Sequence, residues 1–139
     1  MRRLLANGRG AGAIEFALVA PVFLMMVFLI LDGGRMLFTK QALNETAAAA
    51  ARCAALKPSG CKTVAEVKSW TAARGSQRSR LSLTSDMVTA SLSTSCNGQS
   101  SMAQVTITKP YPKSAMNLLP QSVVPATLIS TSCFPVATT

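Results

Sequence analysis

The sequence predicts an α+β chain with one long N-terminal helix, a short second helix and a small antiparallel sheet of about three strands. Three observations carry this. Phe16 to Leu31 reads FALVAPVFLMMVFLIL, with no charged or hydrophilic side chain, and Arg35 to Leu56 continues in good helix formers free of Pro and Gly. Beyond Thr63 the pattern changes, first to apolar residues three apart and then to Val, Thr and Ile alternating with polar residues.

The first element is read as a membrane span. Extending the apolar run back to Ala11 gives residues 11–31, close to the ~20 residues a helix needs to cross hydrocarbon. A buried core helix would need apolar partners of comparable density, and nothing later in the chain supplies them. Residues 1–10 form a basic leader, with Arg2, Arg3 and Arg9 and no acid, whereas Asp32, Arg35 and Lys40 follow the span as a mixture. Positive charge stays on the cytoplasmic side, so the N-terminus is expected inside and residues 32–139 outside. The cysteines at 53, 61, 96 and 133 all fall in that outer part, where disulfides persist. Residues 32–57 are expected to continue the helix as a stalk, with Gly33-Gly34 as a soft joint and Pro58, Ser59 and Gly60 as its stop. One helix over residues 11–56 would run about 69 Å at ~1.5 Å per residue, of which the membrane takes about 30 Å.

Residues 58–139 read as a separate head. Val64, Val67 and Trp70 give a second helix ending near Ala73, followed by a polar loop, GSQRSR. Strand character lies in Met87–Ser93, Met102–Lys109 and Thr127–Phe134, with Asn97-Gly98 as a turn between the first two. Pro110, Pro112, Pro120 and Pro125 confine the segment between the second and third strands to loop.

Composition narrows the chemistry. The 139 residues contain no His, which removes His-based general-base catalysis, Ser-His-Asp and Cys-His pairs, and His-containing zinc sites. The five acids, at 15, 32, 45, 66 and 86, are too scattered for a carboxylate-rich metal or glycosidase site. No catalytic, cofactor-binding or metal-binding residues are assigned, and the chain is expected not to be an enzyme.

The informative segment is NGRGAGAIEFALVAP, residues 7–21. A secretory signal peptide places small residues after its apolar run; here Leu31 is followed by Asp-Gly-Gly-Arg, and the small residues lie before the run instead. A cut there would leave the whole membrane helix on the mature protein. Glu15 is the second oddity, since a carboxylate inside an apolar segment is costly, about 2–3 kcal/mol near the centre and less near the edge. It can be an interfacial Glu whose head reaches the lipid headgroups. Alternatively, a cut after Gly10 makes it the fifth residue from a new amine at Ala11, and a neighbouring helix could pair that amine with Glu15 and set subunit register.

The leader, the Gly10–Ala11 junction, Glu15 with Phe16, and ALVAPVFLMMVF resemble class III prepilins of the type IVb/IVc (Tad/Flp) pilus system. More narrowly, GAGAIEFALVAPVFL, the Gly34-Arg35 pair and an Ala-rich helix ending in Ala51-Arg52 resemble the TadE-like family of minor pilins and pseudopilins, over about residues 8–53. The resemblance implies a pilin-like fold and cleavage between Gly10 and Ala11 by a prepilin peptidase acting from the cytoplasmic face. It gives Glu15 and Phe16 a place in processing or assembly. It implies partners in the peptidase, the major and other minor pilins, the Tad inner-membrane platform and the membrane itself. The chain would then be a single-pass protein of the bacterial inner membrane with a periplasmic head, able to enter the extracellular pilus. The major pilins of this system end soon after the apolar helix, so the long tail implies a minor component acting in initiation, at the tip or in the platform. The alternative is an uncleaved, signal-anchored bitopic envelope protein whose head binds a ligand or partner.

The four cysteines allow three pairings. Cys53 and Cys61 bracket the Pro-Ser-Gly stop and are expected to pin the helix end. Cys96 and Cys133 close the first and third strands and would meet if those strands are neighbours. Four free thiols are the alternative; a zinc site needs closer spacing. Lys57, Lys62, Lys68, Arg74, Arg78 and Arg80 around Trp70 read as a solvated face or an anionic-surface contact. No aromatic interleaving supports specific nucleic-acid binding.

Overall fold

The computed structural model describes residues 11–79, 81–111 and 125–136. Two helices, α1 (Ala11–Leu56) and α2 (Val64–Ser79), precede three strands, β1 (Val88–Cys96), β2 (Gln99–Pro110) and β3 (Thr127–Pro135). The strands form one antiparallel sheet in the order β1-β2-β3, and the helices cover one of its faces. This is the α+β arrangement expected: a long helix, a short helix and a three-stranded antiparallel sheet.

Helix α1 is continuous for 46 residues, passing through Gly33-Gly34 without a break. Pro21 lies inside it; lacking an N–H, it leaves the Ala17 carbonyl without its intrahelical donor. The two halves of α1 have different surroundings. From Ile14 to Leu31 the large apolar side chains are exposed except Val27 and Leu29, which are half-buried, and the apolar stretch is long enough to cross a membrane without being buried against the other described residues. From Leu43 onward α1 is one wall of the core. Leu43, Ala47, Ala50, Ala51, Ala54 and Ala55 are buried, and recurrence at three and four residues puts them on one stripe. The small side chains let the sheet and α2 approach the α1 backbone closely, which is how a core with so few aromatics fills its space. The second half of α1 is therefore integral to the head, not a free-standing stalk.

The end of α1 has a definite construction. Lys57 takes a left-handed conformation (φ 47°) while its N–H still donates to the Cys53 carbonyl at 3.0 Å, and Pro58 follows. A turn carried by Gly60 (φ 92°) returns the chain, with the Cys61 N–H on the Pro58 carbonyl at 3.0 Å. Helix α2 opens with a capping box. Thr63 Oγ1 accepts the Glu66 N–H at 3.2 Å, and Glu66 Oε2 accepts the N–H groups of Lys62 at 2.7 Å and Thr63 at 3.3 Å.

Helix α2 runs to Ser79, whereas the sequence predicts its end near Ala73 and a loop from Gly75. The reason is packing. Gly75 is the point of closest approach between α2 and the segment returning to the sheet: an added Cβ would lie 2.5 Å from Leu83 Cδ1 and 3.7 Å from Thr46 Cγ2. Glycine here permits a helix contact instead of breaking the helix. Leu81 and Leu83 are buried, and the Leu81 N–H bonds the Gly75 carbonyl at 3.1 Å.

The sheet's inner face carries Val88 from β1, Ala103, Val105 and Ile107 from β2, and Leu128 with Ser130 from β3, all buried. Its outer face is polar, with Thr106 and Thr131 hydroxyls 3.0 Å apart on adjacent strands. The β1–β2 turn is Asn97-Gly98, both at positive φ (52° and 80°), as a type I′ hairpin requires. Strand β1 starts one residue later than expected and runs three further, β2 extends by three residues at its start and one at its end, and β3 by one at its end. The stretch expected to be loop falls mostly on residues 112–124, outside the described residues. Its first residue, Pro110, ends β2 opposite Thr127, where the missing N–H costs no interior ladder bond.

Candidate assembly segment and head groove

Of the residues singled out at the N-terminal junction, Gly10 and the basic leader lie outside the described residues. Ala11 is the first residue of α1, and Glu15 follows one turn later, about 6 Å along the axis. Both Glu15 and Phe16 are on the exposed surface of the helix, Phe16 at 74%. Among the described residues nothing covers this end of α1, and the same holds through the apolar half. In water such a surface is unfavourable at roughly 25 cal/mol per Å², so its stable surroundings are lipid or other apolar helices.

At the junction with the head, α1 is tied to β3 by two polar contacts: the Ser130 hydroxyl donates to Asn44 Oδ1 at 2.7 Å, and the Lys40 ammonium donates to the Ile129 carbonyl. Leu37 and Phe38, just before these ties, remain exposed at 72% and 75%.

Two disulfides close the head. Cys53–Cys61 joins the last turn of α1 to the segment just before α2, with Cα atoms 5.8 Å apart. Cys96–Cys133 joins β1 to β3, with Cα atoms 6.5 Å apart. Its two strands are not neighbours, contrary to the condition attached to this pairing above: β2 lies between them. In a flat sheet β1 and β3 would be two spacings apart, about 9.6 Å. The irregular register resolves this. One extra residue appears in β1 between Ser91 and Thr94, and one in β2 between Gln99 and Met102, where Ser101 takes φ 60°. Such bulges increase local twist, and they curl the hairpin end across β2 toward β3. Among the described residues no group of His, Cys, Asp and Glu could hold a metal ion.

Residues 10–52 match the family model of the TadE-like protein. The match covers 43 of the 139 residues. The TadE-like segment covers nearly all of α1 and ends at Arg52, one turn before the helix itself ends, so α2 and the sheet lie outside the match. No curated protein and no solved structure matches the chain.

A second feature is a groove of about 280 Å³ between α1 and α2, lined by Ala49, Arg52, Cys53, Leu56, Trp70 and Arg74. Each arginine lies over an aromatic ring: Arg52 5.2 Å from the centroid of Phe134, Arg74 4.9 Å from that of Trp70. Sequence reasoning grouped Arg74 and Trp70 with the basic run of α2 but left out Arg52, which belongs to another helix. Only the antiparallel return of α2 against α1 brings the two guanidinium groups to one groove.

Proposed function

We propose that this chain is a minor pilin or pseudopilin that takes part in assembling a Tad-type pilus, in initiation, at the tip or in the platform. The observation that carries the reading is that residues 11–52 of the TadE-like match all lie in α1, whose apolar half is uncovered among the described residues. An enzyme would need a catalytic constellation; a subunit that packs by its helix needs only that uncovered surface, a means of entry and a register.

In this reading the chain crosses the bacterial inner membrane once, N-terminus inside, with the head in the periplasm. A prepilin peptidase cuts between Gly10 and Ala11. The new Ala11 amine of one subunit then pairs with Glu15 of a neighbour, and the four-residue separation sets an axial stagger of about 6 Å between adjacent helices. Pairing removes two opposite charges from water together, which is tolerable in apolar surroundings where either alone is not. Its partners are the peptidase, the other pilins and the inner-membrane platform.

Mass spectrometry of the protein from membranes tests this. A mature N-terminus at Ala11 is expected. An intact Met1 in cells that carry the peptidase overturns it in favour of an uncleaved bitopic protein.

A further inference from the structure

We propose that the groove between α1 and α2 is a binding site for a polypeptide carboxylate flanked by apolar side chains, such as an acidic loop or chain end of a partner protein. The site does not depend on leader cleavage or on pilus assembly.

Three features of the groove point to this ligand. First, it presents two guanidinium groups, Arg52 and Arg74, from different helices, and no carboxylate lines it. The nearby acid of α2, Glu66, is already engaged by the backbone N–H groups of Lys62 and Thr63. Each guanidinium rests against an aromatic ring, which limits its rotamers while leaving N–H groups free for an anion. Planar forks held in place match a carboxylate bidentately.

Second, the remaining walls are apolar: Ala49, Leu56, Trp70 and the Cys53 side of a disulfide. Leu56 is 61% exposed although it lies on the helix that forms the core. A bare inorganic anion would use the arginines and leave these walls wet. A carboxylate with an adjacent apolar side chain uses both, and the groove has the volume of a side chain or two rather than of a folded domain.

Third, position excludes the membrane of the chain's own span as the source. Arg52 lies 21 residues beyond Leu31 on one continuous helix, about 32 Å along the axis. The headgroup layer extends only about 5–8 Å beyond the hydrocarbon, so its phosphates do not reach the groove.

Trp70 is the chain's single tryptophan, so its emission reports occupancy of the groove directly. The test is a titration of the full chain in detergent micelles, disulfides intact, with the blocked tripeptide acetyl-Leu-Asp-Leu-amide. Its Asn analogue, its Ala-Asp-Ala analogue and inorganic phosphate are titrated in parallel. The Leu-Asp-Leu peptide is expected to give a saturable change, binding about tenfold or more tighter than the Asn analogue. The Ala-Asp-Ala peptide should fall between them, and phosphate should bind weakest. Arg52→Gln, which leaves the Arg74–Trp70 stack in place, should weaken the Asp peptide about fivefold or more, and Lys62→Gln, away from the groove, should not. If Arg52→Gln disturbs the head, Arg52→Lys keeps the stem and charge but removes the fork, and an intermediate loss is expected. Equal affinity for the Asp and Asn peptides, or phosphate binding as tightly as the Asp peptide, overturns the assignment. So does a folded Arg52→Gln protein that binds like the parent.

Discussion

Substituting Gly75 by alanine should destabilise the head, against the usual trend for a helix interior. Replacing an interior helical glycine with alanine ordinarily gains about 1 kcal/mol through propensity. Here the new methyl would sit 2.5 Å from Leu83 Cδ1, ~1 Å or more inside the optimum for two carbons, and 3.3 Å from Leu83 Cγ. Leu83 is buried at 8% exposure, and Thr46 Cγ2 of α1 lies 3.7 Å from the same methyl, so relief requires an off-rotamer leucine or a displaced helix. Overpacking of this kind costs about 1–3 kcal/mol, leaving a net loss of about 1 kcal/mol. The sign should invert in a Leu83→Ala background: that change alone costs about 2–5 kcal/mol, but it removes the colliding atoms, and Gly75→Ala then recovers about 1 kcal/mol. The assay is urea unfolding of the four proteins of this cycle, disulfides intact, followed by Trp70 emission and far-UV circular dichroism. A coupling of about 2 kcal/mol is expected. If Gly75→Ala stabilises the parent as much as it stabilises the Leu83→Ala protein, the close approach of α2 to the Leu83 segment is not what keeps glycine at this position.

Three further perturbations test other parts of the structure. Opening the Cys96–Cys133 bridge, which closes 37 residues, should cost about 3.8 kcal/mol by loop entropy, against about 2.5 kcal/mol for Cys53–Cys61, which closes 8; paired Cys→Ser variants compared by urea midpoint should keep that ranking, and a reversal would locate the constraint in native contacts of α1 rather than in chain entropy. Thr63→Ala should cost about 1 kcal/mol by removing the acceptor for the Glu66 N–H, while Thr63→Asp should be nearly neutral; thermal unfolding measures both, and equal losses would mean that the cap contributes nothing. Glu15→Leu should insert into the membrane as well as the parent, because the span becomes more apolar, yet fail in leader removal or in co-purification with pilin partners; a variant both cut and assembled like the parent would reduce Glu15 to an interfacial side chain.

How far the sequence could be read depended on the range of the interactions involved. The apolar run, the Ala-rich continuation and the Pro-Ser-Gly stop are local signals, and α1 has the extent they predict. The alternating segments and Asn97-Gly98 are likewise local, and they place three strands and a hairpin correctly. Gly75 misled because its role is tertiary: read alone it is a helix breaker, but next to Leu83 it is a contact. The Thr63–Glu66 capping box was legible in principle, since the T-x-x-E spacing precedes Val67 directly, and it would have set the start of α2. Strand order was beyond local reasoning. The Cys96–Cys133 pair suggests adjacent strands, and only the compensating bulges reveal how a bridge can pass over an intervening one. The groove is of the same kind, because Arg52 and Arg74 are 22 residues apart in sequence and meet only through the turn at Gly60.

The unbroken course of α1 has a mechanical consequence. Because the helix that carries the apolar, membrane-length stretch is also a wall of the head's core, no slack segment separates the two. A force applied to the head is delivered along the helix axis to the apolar half, without a tether to stretch first. Rotation is transmitted too: turning the head by one residue's worth of helical twist, about 100°, turns the face on which Glu15 stands by the same angle. The orientation of the head and the facing of the Glu15 carboxylate are thus a single variable. A neighbour that grips either end selects the rotational setting of the other.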